Sequence, residues 1–278
     1  MNKLPIAKKV QIINCLVEGM SLRATSRIAD VSINTVTKLL VDTGKACQNF
    51  HDETVHGLNS KRIEADEVWS FVYSKQKNAS DIVNTEIEKA GDCWVFTGID
   101  ADSKLIVSWF VGDRSAENAY TFMCDMKSRL RNQVQLTTDG FKPYLNAVPD
   151  AFGSKIDYAM LIKIYGESES ANGADRKYSS GECTGFEKKR IIGKPVAENV
   201  STSYVERSNL TLRMHCRRFT RLTNAFSKKM ENHCYALALH FVYYNFCKIH
   251  KTLRVTPAME AGLMKDVMSI EDIVRLAD

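Results

Sequence analysis

Three carboxylates interrupt a stretch that otherwise reads as a buried strand. In "KRIEADEVWSFVYSKQ" (61–76) they are Glu64, Asp66 and Glu67, set among β-branched and aromatic residues. Alternation along a strand puts Glu64 and Asp66 on one face and sends Glu67 to the other with Trp69 and Phe71. A lone buried carboxylate costs several kcal/mol unless it is paired or holds a metal. The stretch "VQLTTDG" (134–140) repeats the anomaly, with Asp139 where an apolar run gives out. Gly140 follows, and a helix is expected to start near Pro143. A third acid, Glu206, is the only carboxylate in "STSYVERSNLTLRMHCRRF" (201–219), where Arg207, Arg213, Arg217 and Arg218 surround it. On a helix Glu206, Asn209, Arg213 and Arg217 fall near one stripe.

Three acids from distant chain positions can hold two hard divalent ions, Mg²⁺ or Mn²⁺, roughly 4 Å apart. Such a pair activates a water or a 3′-hydroxyl and stabilises the leaving oxygen in phosphodiester transfer. The residues alone leave a plainer set of roles open. Asp66 can cap or salt-bridge, Asp139 can open a turn, and Glu206 can pair with arginine.

The elements that must position these acids are legible in outline. Residues 62–73, 93–102, 104–112, 134–140 and 158–166 are patterned as strands. Residues 115–130 are patterned as a helix with Ser115 as cap and Ala119, Phe122, Met123 and Met126 inward. Three strands, helix, strand, helix, strand make a layered α/β domain over 62–260. Residues 167–199 are polar with few apolar anchors and are expected to form a long loop. A basic amphipathic helix (201–219), an apolar helix (231–250) and a C-terminal tail (261–278) follow.

Residues 1–50 are patterned for three short helices. Ser21 caps the second, with Leu22 and Ile28 inward. Ser32 caps the third, with Ile33, Val36 and Leu40 inward, and "ADVS" forms the turn between them. That is the pattern of a helix-turn-helix, whose second helix enters the DNA major groove by its N-terminal residues. Here those are Asn34, Thr35, Thr37 and Lys38, with Arg23 and Arg27 placed to hold the backbone. An ordinary helical bundle is the alternative. Residues 51–61 then read as the end of a linker that begins near 45.

Composition agrees with a nucleic-acid partner. The net charge of +5 is unevenly spread. Residues 186–254 carry 14 Lys/Arg against 4 Asp/Glu, and residues 1–50 carry 7 against 3, so the remainder is at −9. Basic segments flanking an acidic middle point to a polyanion. Apolar runs such as "LIVSWFV" (105–111) fall far short of the roughly 18 residues a membrane span needs, so no membrane is expected. The start "MNKLPIAKK" lacks an apolar core of a signal peptide, and a cytoplasmic, nucleoid-associated protein of prokaryotic type is expected. None of the eight cysteines forms a C-x-x-C, so they are expected to be reduced and without zinc. Trp69, Trp94 and Trp109 are expected in the core.

Taken together, "DEVWSFVYSKQKN" (66–78), "TGIDADSKLIVSWFVGDR" (97–114), "QLTTDGFKPY" (135–144), "STSYVERSNLTLRMHCRRFTRLTNAFSKK" (201–229) and "YYNFCKIHKTLRVTPAM" (243–259) resemble the transposases of the insertion-sequence-one family. The resemblance spans essentially the whole chain. It implies a ribonuclease-H-like catalytic domain and an Asp-Asp-Glu recombinase with metal-dependent strand cleavage and transfer. By motif position the catalytic and metal-binding residues are then Asp66, Asp139 and Glu206, with Glu64 and Glu67 as rivals at the first position. Double-stranded DNA, both element ends and target, is the implied partner, and a homo-oligomer on DNA the implied assembly. The cysteine zinc motif of founding members has no counterpart here and is not carried over. A transposase-derived regulator with an unused site and a ribonuclease-H-type nuclease remain the alternatives.

Overall fold

The computed structural model describes residues 4–79, 90–166, 183–220 and 223–278. Its centre is a six-stranded mixed sheet. The strands are β1 (Arg62–Val72), β2 (Gly91–Asp100), β3 (Ile106–Gly112), β4 (Gln135–Thr138), β5 (Asp157–Tyr165) and β6 (Cys183–Ile192), in spatial order β3-β2-β1-β4-β5-β6. The first three form an antiparallel meander, β4 lies parallel to β1, β5 parallel to β4, and β6 antiparallel to β5. This is the expected mixed α/β sheet flanked by helices: three helices come before it, and α4 (Ala116–Arg129), α5 (Tyr144–Phe152), α6 (Ser203–His215), α7 (Met230–Val242), α8 (Pro257–Glu260) and α9 (Ile270–Arg275) lie between and after the strands.

Three helices precede the sheet: α1 (Ile6–Val17), α2 (Leu22–Ala29) and α3 (Ile33–Thr54). Ser21 and Ser32 accept from the backbone N–H groups of Ala24 and Thr35, as their N-cap positions require. Asp30 ends α2 in the left-handed region at φ 49°. Ile28 and Ile33, expected inward, are instead 50% and 39% exposed. The short α2 has room to bury Thr25 and Ala29 but not a further face.

Residues 45–54 of the expected linker are helix. α3 continues through Thr54, burying Thr43, Gly44, Cys47 and His51 at successive turns. It packs on α7 (Met230–Val242), and the two backbones meet at Gly44, where a Cβ would fall on the Tyr235 carbonyl. Arg129, 5% exposed at the end of α4 (Ala116–Arg129), fixes the far end of α3. It pairs with Asp52 at 2.6 Å and Asp125 at 2.8 Å and donates to the Val55 carbonyl. The segment 261–278 is not a loose tail either. It holds α9 (Ile270–Arg275), with Ile273 and Val274 buried and contacts to α1 and α3. The helices before the sheet and the sheet itself thus share one apolar core.

Part of the expected 167–199 loop is strand. β6 pairs with β5 through its backbone, while most of its side chains stay exposed. An edge strand wet on both faces has no apolar alternation to announce it. Residues 167–182 of that expected loop lie outside the described residues. At the opposite edge Asn245, fully buried in a π-helical turn after α7, bonds both the N–H and the carbonyl of Ile106 at 2.9 Å. It satisfies β3 as a neighbouring strand would. Among the described residues no helix is long and apolar enough to cross a membrane.

Candidate active site

β1, β3, β4 and β5 run in one direction, so the residues that follow β3 and β4 arrive at the same edge of the sheet. Sites in α/β sheets form at this edge. The β1–β4 register ends at Ala65 opposite Thr138, which brings Asp139 beside Asp66 one step further on. Asp139 is fixed by the Phe141 N–H, which donates to Oδ1 at 3.0 Å.

The acids of β1 have separate fates. Glu64 is 3% exposed and accepts from the N–H groups of Tyr204 and Val205 at 2.7 and 3.0 Å. These are the open donors in the first turn of α6 (Ser203–His215), whose N-cap Thr202 provides no side-chain cap. Glu64 therefore serves as the cap of that helix. Asp66 accepts at Oδ1 from the Glu67 N–H and at Oδ2 from Asn209 Nδ2 on α6, both at 2.8 Å. Glu67 meets Arg114, which donates to Oε2 through Nε at 3.2 Å and Nη2 at 3.0 Å.

The expectation that Glu67 stands apart from the site needs correction. Its side chain is fully buried, and one oxygen each from Asp66, Glu67 and Asp139 lie within 4.8 Å of one another. Alternation does send Asp66 toward α6 and Glu67 toward Arg114. Because β4 has already ended, however, Asp139 lies within reach of both.

Glu206 is near but engaged. Its carboxylate accepts from Lys163 of β5 at 2.7 Å and from the Thr202 hydroxyl. Its charge is still felt by both Asp66 and Asp139. Asn209 is 5% exposed and braces Asp66 rather than facing outward. Arg213 lies half-buried on the same helix. The helix stops at His215, so Arg217 sits in a separate 3₁₀ turn and the expected stripe ends at Arg213.

Burial and mutual repulsion make Asp66, Glu67 and Asp139 harder to ionise than free carboxyls. Burial, then the Asp139 charge, pushes Asp66 up to about 6 and Glu67 up to about 8. Asp139 is also raised, mainly by burial. Four carboxylates (Asp66, Glu67, Asp139, Glu206) face two cations (Arg114, Lys163), so the fully ionised site lacks two positive charges. Asn209 Oδ1 is buried without a donor, and Glu67 Oε1 is buried with the Tyr144 hydroxyl as the donor acting on its carboxylate. An oxygen-only donor set with that deficit fits a hard divalent cation.

Sequence reasoning missed Arg114 and Lys163. Arg114 lies over the rings of Trp94 and Phe141, with its guanidinium carbon 4.7 and 4.2 Å from their centroids, and reaches Asp139 at 3.7 Å. The available signal was its place two residues after a strand parallel to β1. Trp94 is only half-buried and carries this cation, and Trp69 is 36% exposed, so neither is simply core.

In the α2–α3 region Arg23, Arg27, Asn34 and Lys38 are exposed. Thr35 and Thr37 are half-buried, and their hydroxyls meet the Ser32 hydroxyl and the Ile33 carbonyl. Lys38 pairs with Asp42 at 2.5 Å.

No protein-family model matches the chain, and no curated protein matches it. Among solved structures it is similar to a Mos1 transposase paired-end complex with left transposon end, at 11% identity and TM-score 0.25, over 57% of this chain and 60% of that one. The Mos1 strand transfer complex matches at the same identity and TM-score over 87% and 77%. The chain thus spans about 60% of the length of the first Mos1 chain it matches. A likeness this weak decides neither activity nor partner.

Proposed function

We propose that this protein is a DNA transposase of the insertion-sequence-one type. Its acids Asp66, Asp139 and Glu206 are the catalytic and metal-binding residues, and Mg²⁺ or Mn²⁺, as two ions, is the cofactor. The observation that supports the proposal is the cluster of Asp66, Glu67 and Asp139 at one sheet edge, with Glu206 of α6 near enough for its charge to raise both aspartates and too few cations to balance them. Divalent ions bound there supply activation of the attacking oxygen and stabilisation of the leaving one. The chain's own residues do the positioning. Asn209 orients Asp66, the Phe141 N–H orients Asp139, and Glu64 anchors the helix that carries Glu206 and Asn209. Lys163 and Arg114 flank the acids, where they can meet phosphate oxygens. In cleavage a water oxygen attacks phosphorus and the bond to the 3′-oxygen breaks. In transfer that 3′-hydroxyl attacks a target phosphodiester, whose own 3′-oxygen leaves.

Element-end recognition falls to α2 and α3, through Arg23, Arg27, Asn34, Thr35, Thr37 and Lys38. Arg213, one turn beyond Asn209 on α6, and Arg217, in the 3₁₀ turn after it, are further proposed contacts to the DNA backbone. Bringing two ends together requires at least a dimer on DNA. The test is strand transfer in vitro, with labelled duplex carrying the element's own ends, a target plasmid, and Mg²⁺ or EDTA. Wild type is expected to give metal-dependent joined products, and Asp66→Asn, Asp139→Asn and Glu206→Gln are each expected to lose at least about 10³-fold. End binding without cleavage would point to a DNA-binding regulator. Preferential cutting of RNA–DNA hybrid would point to a nuclease.

A further inference from the structure

The residue next to the expected catalytic aspartate is the most constrained acid of the site. Glu67 has a side-chain exposure of 0%, and both Arg114 donors go to the same oxygen, Oε2. This leaves Oε1 buried, and the nearby donor acting on the carboxylate is the buried Tyr144 hydroxyl, itself without another partner. A buried carboxylate oxygen held by no more than one hydroxyl keeps a lone pair for a cation.

A second group touches the same cluster of acids. Asn209 is 5% exposed, and its Nδ2 must be the atom on Asp66 Oδ2, because a carboxylate accepts and an amide oxygen cannot donate. Its Oδ1 belongs to the same planar amide and has no partner. Glu206 is tied to Lys163 and Thr202, and the oxygens that lie within 4.8 Å of one another are those of Asp66, Glu67 and Asp139.

We propose that Glu67, held by Arg114, completes with Asp66 and Asp139 the oxygen set that takes a divalent cation in the DNA-free protein, while Glu206 remains with Lys163. This rests on the reading of the site as metal-dependent and adds to it a residue outside the expected trio. It also orders the roles, with one cation seated by Asp66, Glu67 and Asp139 before nucleic acid arrives. Glu206 is recruited only when something else, such as a phosphate, takes Lys163.

The test is Mn²⁺ binding to the full-length chain without DNA, followed by the loss of the free-ion paramagnetic resonance signal. Glu67→Gln is expected to weaken binding at least about tenfold, as is Asp139→Asn, whereas Glu206→Gln stays within about threefold of wild type. Wild-type affinity in Glu67→Gln, or a loss in Glu206→Gln matching that of Asp139→Asn, overturns the proposal. So does a wild type that binds no Mn²⁺ at millimolar concentration. Anomalous scattering from Mn²⁺-soaked wild-type crystals needs no variant to fold. A peak at ligand distance from a Glu67 oxygen supports the assignment, and a peak on Asp66 and Asp139 with Glu67 out of reach overturns it. Strand transfer that fails in Asp139→Asn but survives alongside unchanged Mn²⁺ binding in Glu67→Gln would sink this inference and leave the transposase reading standing.

Discussion

Among the acids at the sheet edge, burial outweighs pairing. Glu67 touches an arginine at 3.0 Å, yet desolvation and the neighbouring Asp139 still raise its carboxyl to about 8. An acid raised in the native state makes the native state bind more protons than the unfolded one, so stability falls as pH rises toward the folded value. For Asp66 that window runs from about 4 to about 6. There the buried His233 and His240, both lowered to about 3, act with the opposite sign, because they lose stability as pH falls. Between pH 7 and 8 the histidines are essentially neutral in both states, and Glu67 dominates. Melting temperature in EDTA is therefore expected to drop from pH 7 to pH 8. Mg²⁺ at a hundredfold excess over its Kd should restore about 2.7 kcal/mol, because it binds only the folded site. Thermal melts at both pH values with and without Mg²⁺ check this, and a melting temperature unmoved by the ion at pH 8 would contradict it.

At the scale of elements, the contact between α3 and α7 sets a limit that helix propensity does not. Propensity alone makes Gly44→Ala favourable by about 1 kcal/mol. The added methyl would meet the Tyr235 carbonyl, which is backbone and cannot rotate away. Overpacking of this kind costs about 1–3 kcal/mol or more, so the clash outweighs the propensity. Gly44→Ala is expected to lower the urea midpoint with its slope unchanged, and a raised midpoint would show that the helices can separate cheaply. The same contact explains why 45–54 reads as linker but folds as helix. Its buried stripe is made of small and polar residues, Thr43, Gly44, Cys47 and His51, which pack by shape and give no apolar signal.

For the whole molecule the consequence is that the N-terminal helices and the central sheet form one folding unit. Ile12, Val36, Leu40 and Cys47 share a core with Leu237, Phe241 and the sheet. The ionic cluster of Asp52, Arg129 and Asp125 closes the far end of α3. A fragment of residues 62–278 should then expose the α3-facing side of α7 and fail to unfold cooperatively. Near-ultraviolet circular dichroism and urea titration of the fragment against the full chain test this. A fragment with a native-like signal and a sharp transition would restore the picture of two separable domains.

The strands β1 to β5, their flanking helices and the caps Ser21, Ser32 and Ser115 follow from local periodicity and turn chemistry, because each depends on neighbours within a few residues. Asp66 and Asp139 are legible as acids placed where apolar residues belong, Glu206 as the lone carboxylate of a basic helix, and the motif resemblance ties the three together. Other features depend on distant partners. β6 exists because β5 offers it a backbone edge, α3 is long because α7 accepts its small-residue face, and Glu64 is a helix cap because α6 starts above it. Arg114, Lys163 and Glu67 come together at the acids because β1, β3, β4 and β5 share a direction and β4 stops early. Sequence spacing can nominate a charged residue, but only the packed sheet decides which charges are close enough to share a cation.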